Sequence, residues 1–184
     1  STTYPSVYSG VDLEKARQFL AQARSELGEL PELVLLSREG NEKQDEYIQA
    51  LYKRELDLNV QIDRQSFKQA IEKLITGEFD IAFSGFCNGI LGDPYIVART
   101  YASDNPFNDG RFASNEYDEL LNKSTEISDP AERMRIFSKL ERLLLETAAI
   151  IPTSQTSDIY VQDSRLRRLN YGPIRDFSRG LVRN

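Results

Sequence analysis

Residues 33–63 read LVLLSREGNEKQDEYIQALYKRELDLNVQID, and this stretch decides the fold. It opens with Leu33-Val34-Leu35-Leu36, a short continuous apolar run that fits a strand buried on both faces of a parallel sheet. Gly40 and Asn41 break the run. A helical pattern follows, carried by Tyr47, Ile48, Leu51, Tyr52 and Leu56. Leu58, Val60 and Ile62 then alternate with Asn59, Gln61 and Asp63, the period-two pattern of a strand. Strand, helix, strand makes one βαβ unit, expected to be parallel and right-handed.

The unit repeats at once on its C-terminal side. Ser66 or Gln65 starts a helix carrying Phe67, Ala70, Ile71, Leu74 and Ile75. Gly77 stops it, where a left-handed cap is easiest for glycine. Phe79, Ile81 and Phe83 form a third strand, expected to end near Ser84-Gly85. On the N-terminal side, Ser1 to Gly10 is a polar, turn-rich lead-in. Asp12 then caps a helix whose apolar positions are Leu13, Ala16, Phe19, Leu20, Ala23 and Leu27, and Gly28 and Pro31 end it.

The second half changes character. Gly85 to Pro94 is a glycine-rich loop and Asp104 to Gly110 is another. Three helical patterns lie around them, near Tyr95 to Tyr101, from Asn115 to Glu126, and from Pro130 to about Ala148. The second turns Tyr117, Leu120 and Leu121 inward. The third has Asp129 as its cap and Pro130 at the favoured first position, with Glu132 in its acidic first turn. Its apolar face carries Met134, Phe137, Leu140, Leu144 and Leu145. Ile150-Ile151 and Ile159-Tyr160-Val161 begin extended segments. The expected architecture is therefore a three-strand parallel βαβαβ layer, then a helical cluster, then a late extended tail.

Composition narrows the chemistry. The 184 residues carry a net charge of -6, with 40% hydrophobic and 28% charged residues, an ordinary globular balance. Such a surface repels phosphate backbones, so nucleic acid is not expected as a partner. The local run Arg165, Arg167 and Arg168 reads as a solvated edge. There is no histidine, which removes Ser-His-Asp and Cys-His catalysis and the commonest metal ligand. The single cysteine, Cys87, cannot form an internal disulfide and reads as a small apolar residue. No run reaches the ~20 apolar residues of a membrane span, and no stretch reads as a secretory signal.

The chemical motifs are weak. Gly85, Gly89 and Gly92 have the wrong spacing for a P-loop, and no Lys-Ser or Lys-Thr follows them. Acidic residues are abundant, but many lie at helical spacing from a basic one, as Glu119 does from Lys123. Nothing in the spacing converges two carboxylates on one pocket, as glycoside hydrolysis requires. The loop after the third strand is the best candidate site, because α/β sheets bind ligands beyond the carboxyl ends of their strands.

Taken in order, several segments resemble the bacterial solute-binding proteins of the oligopeptide, dipeptide and nickel family. Val11 to Leu20 resembles that family's "D-x-E-K-A-K-x-L-L" helix. Tyr47 to Leu56 with Leu58 to Ile62 resembles "I-Q-x-x-L-K-x-x-L-G-I-x-V". Gly77 to Phe86 resembles "G-x-Y-D-x-x-x-x-G-W", and Asp93-Pro94 the "D-P" that follows. Ser114 to Leu121, Asp129 to Arg133 and Ala149 to Pro152 match "N-P-E-Y-D-x-L-L", "D-x-x-E-R" and "A-P-x-I-P".

The resemblance implies a periplasmic-binding-protein-like lobe. Residues 1–184 would be the C-terminal lobe of a two-lobed peptide-binding protein, excised from a longer chain. It implies an ABC importer's substrate-binding component, periplasmic or otherwise extracytoplasmic, with the parent possessing a lipid anchor in lipoprotein members. The implied partners are a peptide ligand, the permease subunits and the missing N-terminal lobe, with the protein itself monomeric. No enzyme activity, cofactor, metal site or catalytic residue is implied. The implied ligand-binding residues are Gly85, Phe86, Cys87, Asn88, Gly89 and Ile90. Asp93 matches the aspartate that helps shape the loop, and Tyr117, Asp118, Arg133 and Phe137 match structural landmarks. Phe86 replaces the family's tryptophan. The family's amine-binding aspartate has no counterpart, since Asn88, Gly89 or Ile90 stands near its place. Two readings from other classes stay open on the residues alone, a carboxylate-dependent α/β enzyme domain and a protein-interaction module.

Overall fold

The computed structural model describes residues 10–85, 93–153, 161, 163, 165–167 and 181–182. The order of elements begins α1 (Leu13–Leu27), β1 (Leu33–Arg38), α2 (Glu42–Leu56), β2 (Val60–Gln65), α3 (Phe67–Thr76) and β3 (Ile81–Ala82). It continues with α4 (Pro94–Thr100), α5 (Asn115–Glu126), α6 (Pro130–Glu146), β4 (Leu166–Arg167) and β5 (Leu181–Val182). The first three strands form one parallel sheet in the order β2-β1-β3. β4 and β5 pair antiparallel in the tail.

The expected α/β class and the three-strand parallel layer are what the chain forms. β1 pairs with β2 over its whole length, from Leu33 opposite Val60 to Arg38 opposite Gln65. Leu35, Leu36 and Val60 are buried, as a central strand and its neighbour require. The third strand is shorter than its pattern. Only Ile81 and Ala82 pair with β1, opposite Leu35 and Leu36. At the start of β3, the Asp80 carboxylate accepts the Val34 N–H at 2.7 Å, while the Asp80 N–H donates to Val34 O at 3.1 Å. A side chain thus satisfies a backbone donor.

Helix ends follow their capping residues. Asp12 accepts from Lys15 N–H, Ser114 from Tyr117 N–H and Asp129 from Glu132 N–H, each satisfying a first-turn donor. Gly77 ends α3 in the left-handed region at φ 75°. A β-carbon there would meet the Arg111 guanidinium at 2.8 Å.

The apolar face expected on α1 is only partly covered. Leu13, Ala16, Leu20 and Ala23 are half-buried, but Phe19 and Leu27 are exposed. The helix lies against α2 rather than the sheet, and Arg17 reaches Glu55 through both its backbone oxygen and its carboxylate.

α4, α5 and α6 enclose the largest core cluster. It holds Ala98, Ala102, Tyr117, Leu121, Ile136, Phe137, Leu140 and Leu144, with Leu120 and Met134 packed against it. The buried Tyr117 hydroxyl donates to Ala98 O at 2.8 Å, and Phe112 meets the Tyr117 ring edge-on at 5.3 Å. Asp118 accepts the Ser103 N–H at 3.1 Å. These contacts make Tyr117, Asp118 and Phe137 structural. Among the three tail arginines, Arg165 is exposed and paired with Asp163. Ile159, Tyr160 and Arg168 lie outside the described residues.

Candidate functional site

The sheet order fixes where a crevice opens. Asp45 of α2 contacts Ser37 and Arg64, which are register partners on one face of the sheet. Lys73 of α3 contacts Asp63, whose side chain alternates to the other face. The two helices therefore cover opposite faces. The order of strands reverses at β1, and in an open parallel sheet the ligand crevice lies beyond the carboxyl ends at such a reversal, here at the β1/β3 boundary.

Three described segments border that edge. The first is the turn after β1. Glu39 N–H donates to Gln65 O at 3.0 Å, and Asn41 N–H to Arg38 O at 3.2 Å. Gly40 N–H donates to the Glu42 carboxylate at 2.9 Å. That bond, then Glu42's own backbone N–H, holds the Glu42 carboxyl below the ordinary carboxylate value. The second segment is the β2–α3 junction, where Gln69 Oε1 accepts from both the N–H and the hydroxyl of Ser66. The third is Phe83 to Gly85, which follows Ala82, the last paired residue of β3. Gly85 is exposed, with open space on its side-chain side.

Of the sequence-predicted site residues, Gly85 is the one described. Phe86, Cys87, Asn88, Gly89 and Ile90 lie outside the described residues. The far end of the loop is described from Asp93. Its Oδ1 accepts the Tyr95 N–H at 2.9 Å, and its Oδ2 meets Arg133 at 3.0 Å. Arg133 also donates through Nε to Ser124 O at 2.9 Å and lies 5.0 Å from the centre of the Phe137 ring. Burial works to raise the Asp93 carboxyl. The Arg133 hydrogen bond, the Tyr95 N–H and the guanidinium charge outweigh it and leave the carboxyl below its ordinary value. Two motifs forty residues apart, Asp93-Pro94 and Asp129 to Arg133, are thus one clamp at the base of the loop.

Sequence reasoning missed two features of this edge. The first is Asp45, which is 0% exposed. Its Oδ2 accepts the Ser37 hydroxyl at 2.5 Å and lies 3.5 Å from Arg64 Nη2, while its Oδ1 has no hydrogen-bond partner among the described residues. Asp45 lies in the first turn of α2. The second is the division of the α3 apolar face. Ala70 is buried and Leu74 half-buried, but Phe67, Ile71 and Ile75 are 63%, 39% and 68% exposed. At four-residue spacing they form a stripe that starts at the crevice edge. The signal was present as a helix with more apolar residues than one buried face needs.

Two carboxylates at this edge are already engaged. Glu42 is committed to the Gly40 turn and Asp45 to Ser37 and Arg64, so neither carboxylate is offered to a substrate as a second member of a pair. Among the described residues, Arg38, Phe67 and Gly85 are exposed here. Two hollows on the described surface belong instead to the helical cluster. One lies between Ile75 and the segment 103–113, where Asn105 and Asn108 bond the backbone around them. The other lies beside the Asp93–Arg133 pair.

No family model matches the chain. It is similar to the periplasmic oligopeptide-binding protein OppA of Salmonella typhimurium, 27% identical over 105 residues, covering 57% of this chain and 19% of that one. It is similar also to the oligopeptide-binding protein OppA of Bacillus subtilis, 24% identical over 164 residues, covering 85% of this chain and 30% of that one. Among solved structures, the substrate-binding domain of an oligopeptide ABC transporter from Bacillus anthracis superimposes with a TM-score of 0.78 at 26% identity. That match covers 94% of this chain and 35% of the other. The chain therefore spans about a third or less of the length of these relatives.

Proposed function

We propose that this chain, whose homologues are oligopeptide- and dipeptide-binding proteins, is the C-terminal lobe of a two-lobed protein that captures peptides for an ABC importer. The observation that carries the reading is the open edge at the strand reversal, bordered by the β1–α2 turn, Phe67 and Gly85. Arg38, Phe67 and Gly85 are exposed along it, as one half of a clamp would leave them. The fold likeness supports the same division, since it covers nearly all of this chain and about a third of the Bacillus anthracis protein.

The mechanism is closure of two lobes about a hinge, with the ligand between them. Peptide main chain is held by strand-like hydrogen bonds, and side chains rest in wet, roomy pockets. The loop Gly85 to Ile90 lines the cleft on this side, and the α3 stripe supplies an apolar bank for side chains. Asp93 and Arg133 anchor the loop's base and do not touch ligand. No bond is made or broken; ATP hydrolysis belongs to other subunits, and permease subunits receive the loaded protein. The parent works outside the cytoplasm, as periplasmic relatives do, and a lipid anchor on the parent would keep it beside the permease.

Mass spectrometry of small molecules that copurify with the full-length parent tests the reading. Short peptides are the expected content. A parent that retains only non-peptide molecules, and whose melting temperature no peptide pool raises, would overturn it.

A further inference from the structure

Several cations around the crevice edge are already engaged. Among the described residues, Arg64 is paired with Asp45, Lys73 with Asp63 and Arg133 with Asp93, and Arg111 donates to Thr76 O. Arg38 makes no such contact with the described residues. It is exposed and ends β1 at the carboxyl edge, with its guanidinium carbon 5.9 Å from the centre of the Phe67 ring. The two helix starts beside it are already occupied: α2 carries Glu42 and Asp45 in its first turn, and Gln69 closes over Ser66 at α3. Glu39, the next residue, donates its N–H to Gln65 O as the chain turns. A guanidinium resting on an aromatic face keeps its N–H fork free, and that fork matches the two oxygens of a carboxylate.

We infer that Arg38 and Phe67 form a carboxylate-recognition site in the crevice, the fork receiving a carboxylate of the bound peptide and the ring packing against the apolar atoms beside it. This rests on the peptide-binding reading above and adds the ligand's chemistry. The carboxylate is the peptide's C-terminus or an acidic side chain.

The test is calorimetry on the full-length parent with one tri- to pentapeptide pool of Ala, Leu and Phe. The pool is prepared as free acids, as C-terminal amides, and as amides with one residue replaced by Glu. Wild type should prefer a carboxylate-bearing form over the plain amide by about tenfold or more, as hydrogen bonds to charged groups typically allow. Preference for the free acid assigns the C-terminus, and preference for the Glu-amide assigns a side chain. Arg38→Gln should collapse that ratio. Arg38→Lys should keep part of it, because the charge stays while the fork is lost. A ratio near one in wild type, or an undiminished ratio in Arg38→Gln, overturns the inference alone. Failure of all three forms to bind wild type overturns the peptide reading and the inference together.

Discussion

Asp45 is the residue on which the β1–α2 turn depends. It is fully buried, and Ser37 and Arg64 are its partners. Arg64 is a third exposed, so removing Asp45 leaves that guanidinium within reach of water and the cost falls mainly on Ser37 and the lost packing. Asp45→Ala should therefore destabilise by about 1–3 kcal/mol, seen as a lower urea midpoint with an unchanged slope. An unchanged midpoint would mean that the cluster is idle. None of this was legible in the sequence. Asp45 sits in Glu42-Lys43-Gln44-Asp45-Glu46, a run that reads as a solvated helix start. Its burial depends on the strand register that sets Ser37 beside Arg64, which no local pattern encodes. The Asp80–Val34 bond at the start of β3 is hidden for the same reason, because a long-range hydrogen bond leaves no periodicity.

At the scale of elements, the helices were legible because their ends are written in local chemistry. Asp12, Ser114 and Asp129 each cap the helix that the apolar spacing predicts. Phe137, predicted on the inner face of α6, is 3% exposed. Phe137→Ala should cost about 3–5 kcal/mol through lost transfer energy and a cavity, and unchanged thermal stability would contradict that. The Asp93 cap adds a pH dependence. Its folded-state carboxyl titrates below the ordinary value, so its contribution is present above the unfolded value of about 3.9 and is lost as pH falls through the lowered folded value. Asp93→Asn lacks the charge throughout. Thermal melts should show a stability gap between wild type and Asp93→Asn that is constant from pH 7 to 5 and closes below about pH 4. A gap that widens on acidification would reverse the assignment. What the apolar pattern on α3 concealed was direction: Phe67, Ile71 and Ile75 satisfy the helical period as well as Ala70 and Leu74 do, yet they face out. Periodicity reports that apolar residues share a side, and only the packed sheet decides which of two adjacent sides is covered.

For the whole molecule, the order of strands and helices was legible and the division of labour with a second lobe was inferred. An open edge leaves a bound peptide facing water, and the contacts on one side must offset an association cost of roughly 4–15 kcal/mol. The isolated 184-residue chain is accordingly expected to give no saturable heat with a mixed peptide pool at millimolar concentration. Saturable micromolar binding would show that it holds a complete site. The Arg111 contact also has a consequence for how the chain comes apart. Its guanidinium donates to Thr76 O at 2.6 Å and fills the space beside Gly77, joining the end of α3 to the segment that leads into α5. This polar seam ties two separate apolar cores, one under the sheet and one among α4, α5 and α6. Native-state amide exchange should then resolve two blocks, with β1 and β2 protected to one opening free energy and α5 and α6 to another. Arg111→Ala would leave each block's slowest amides protected while letting one open without the other.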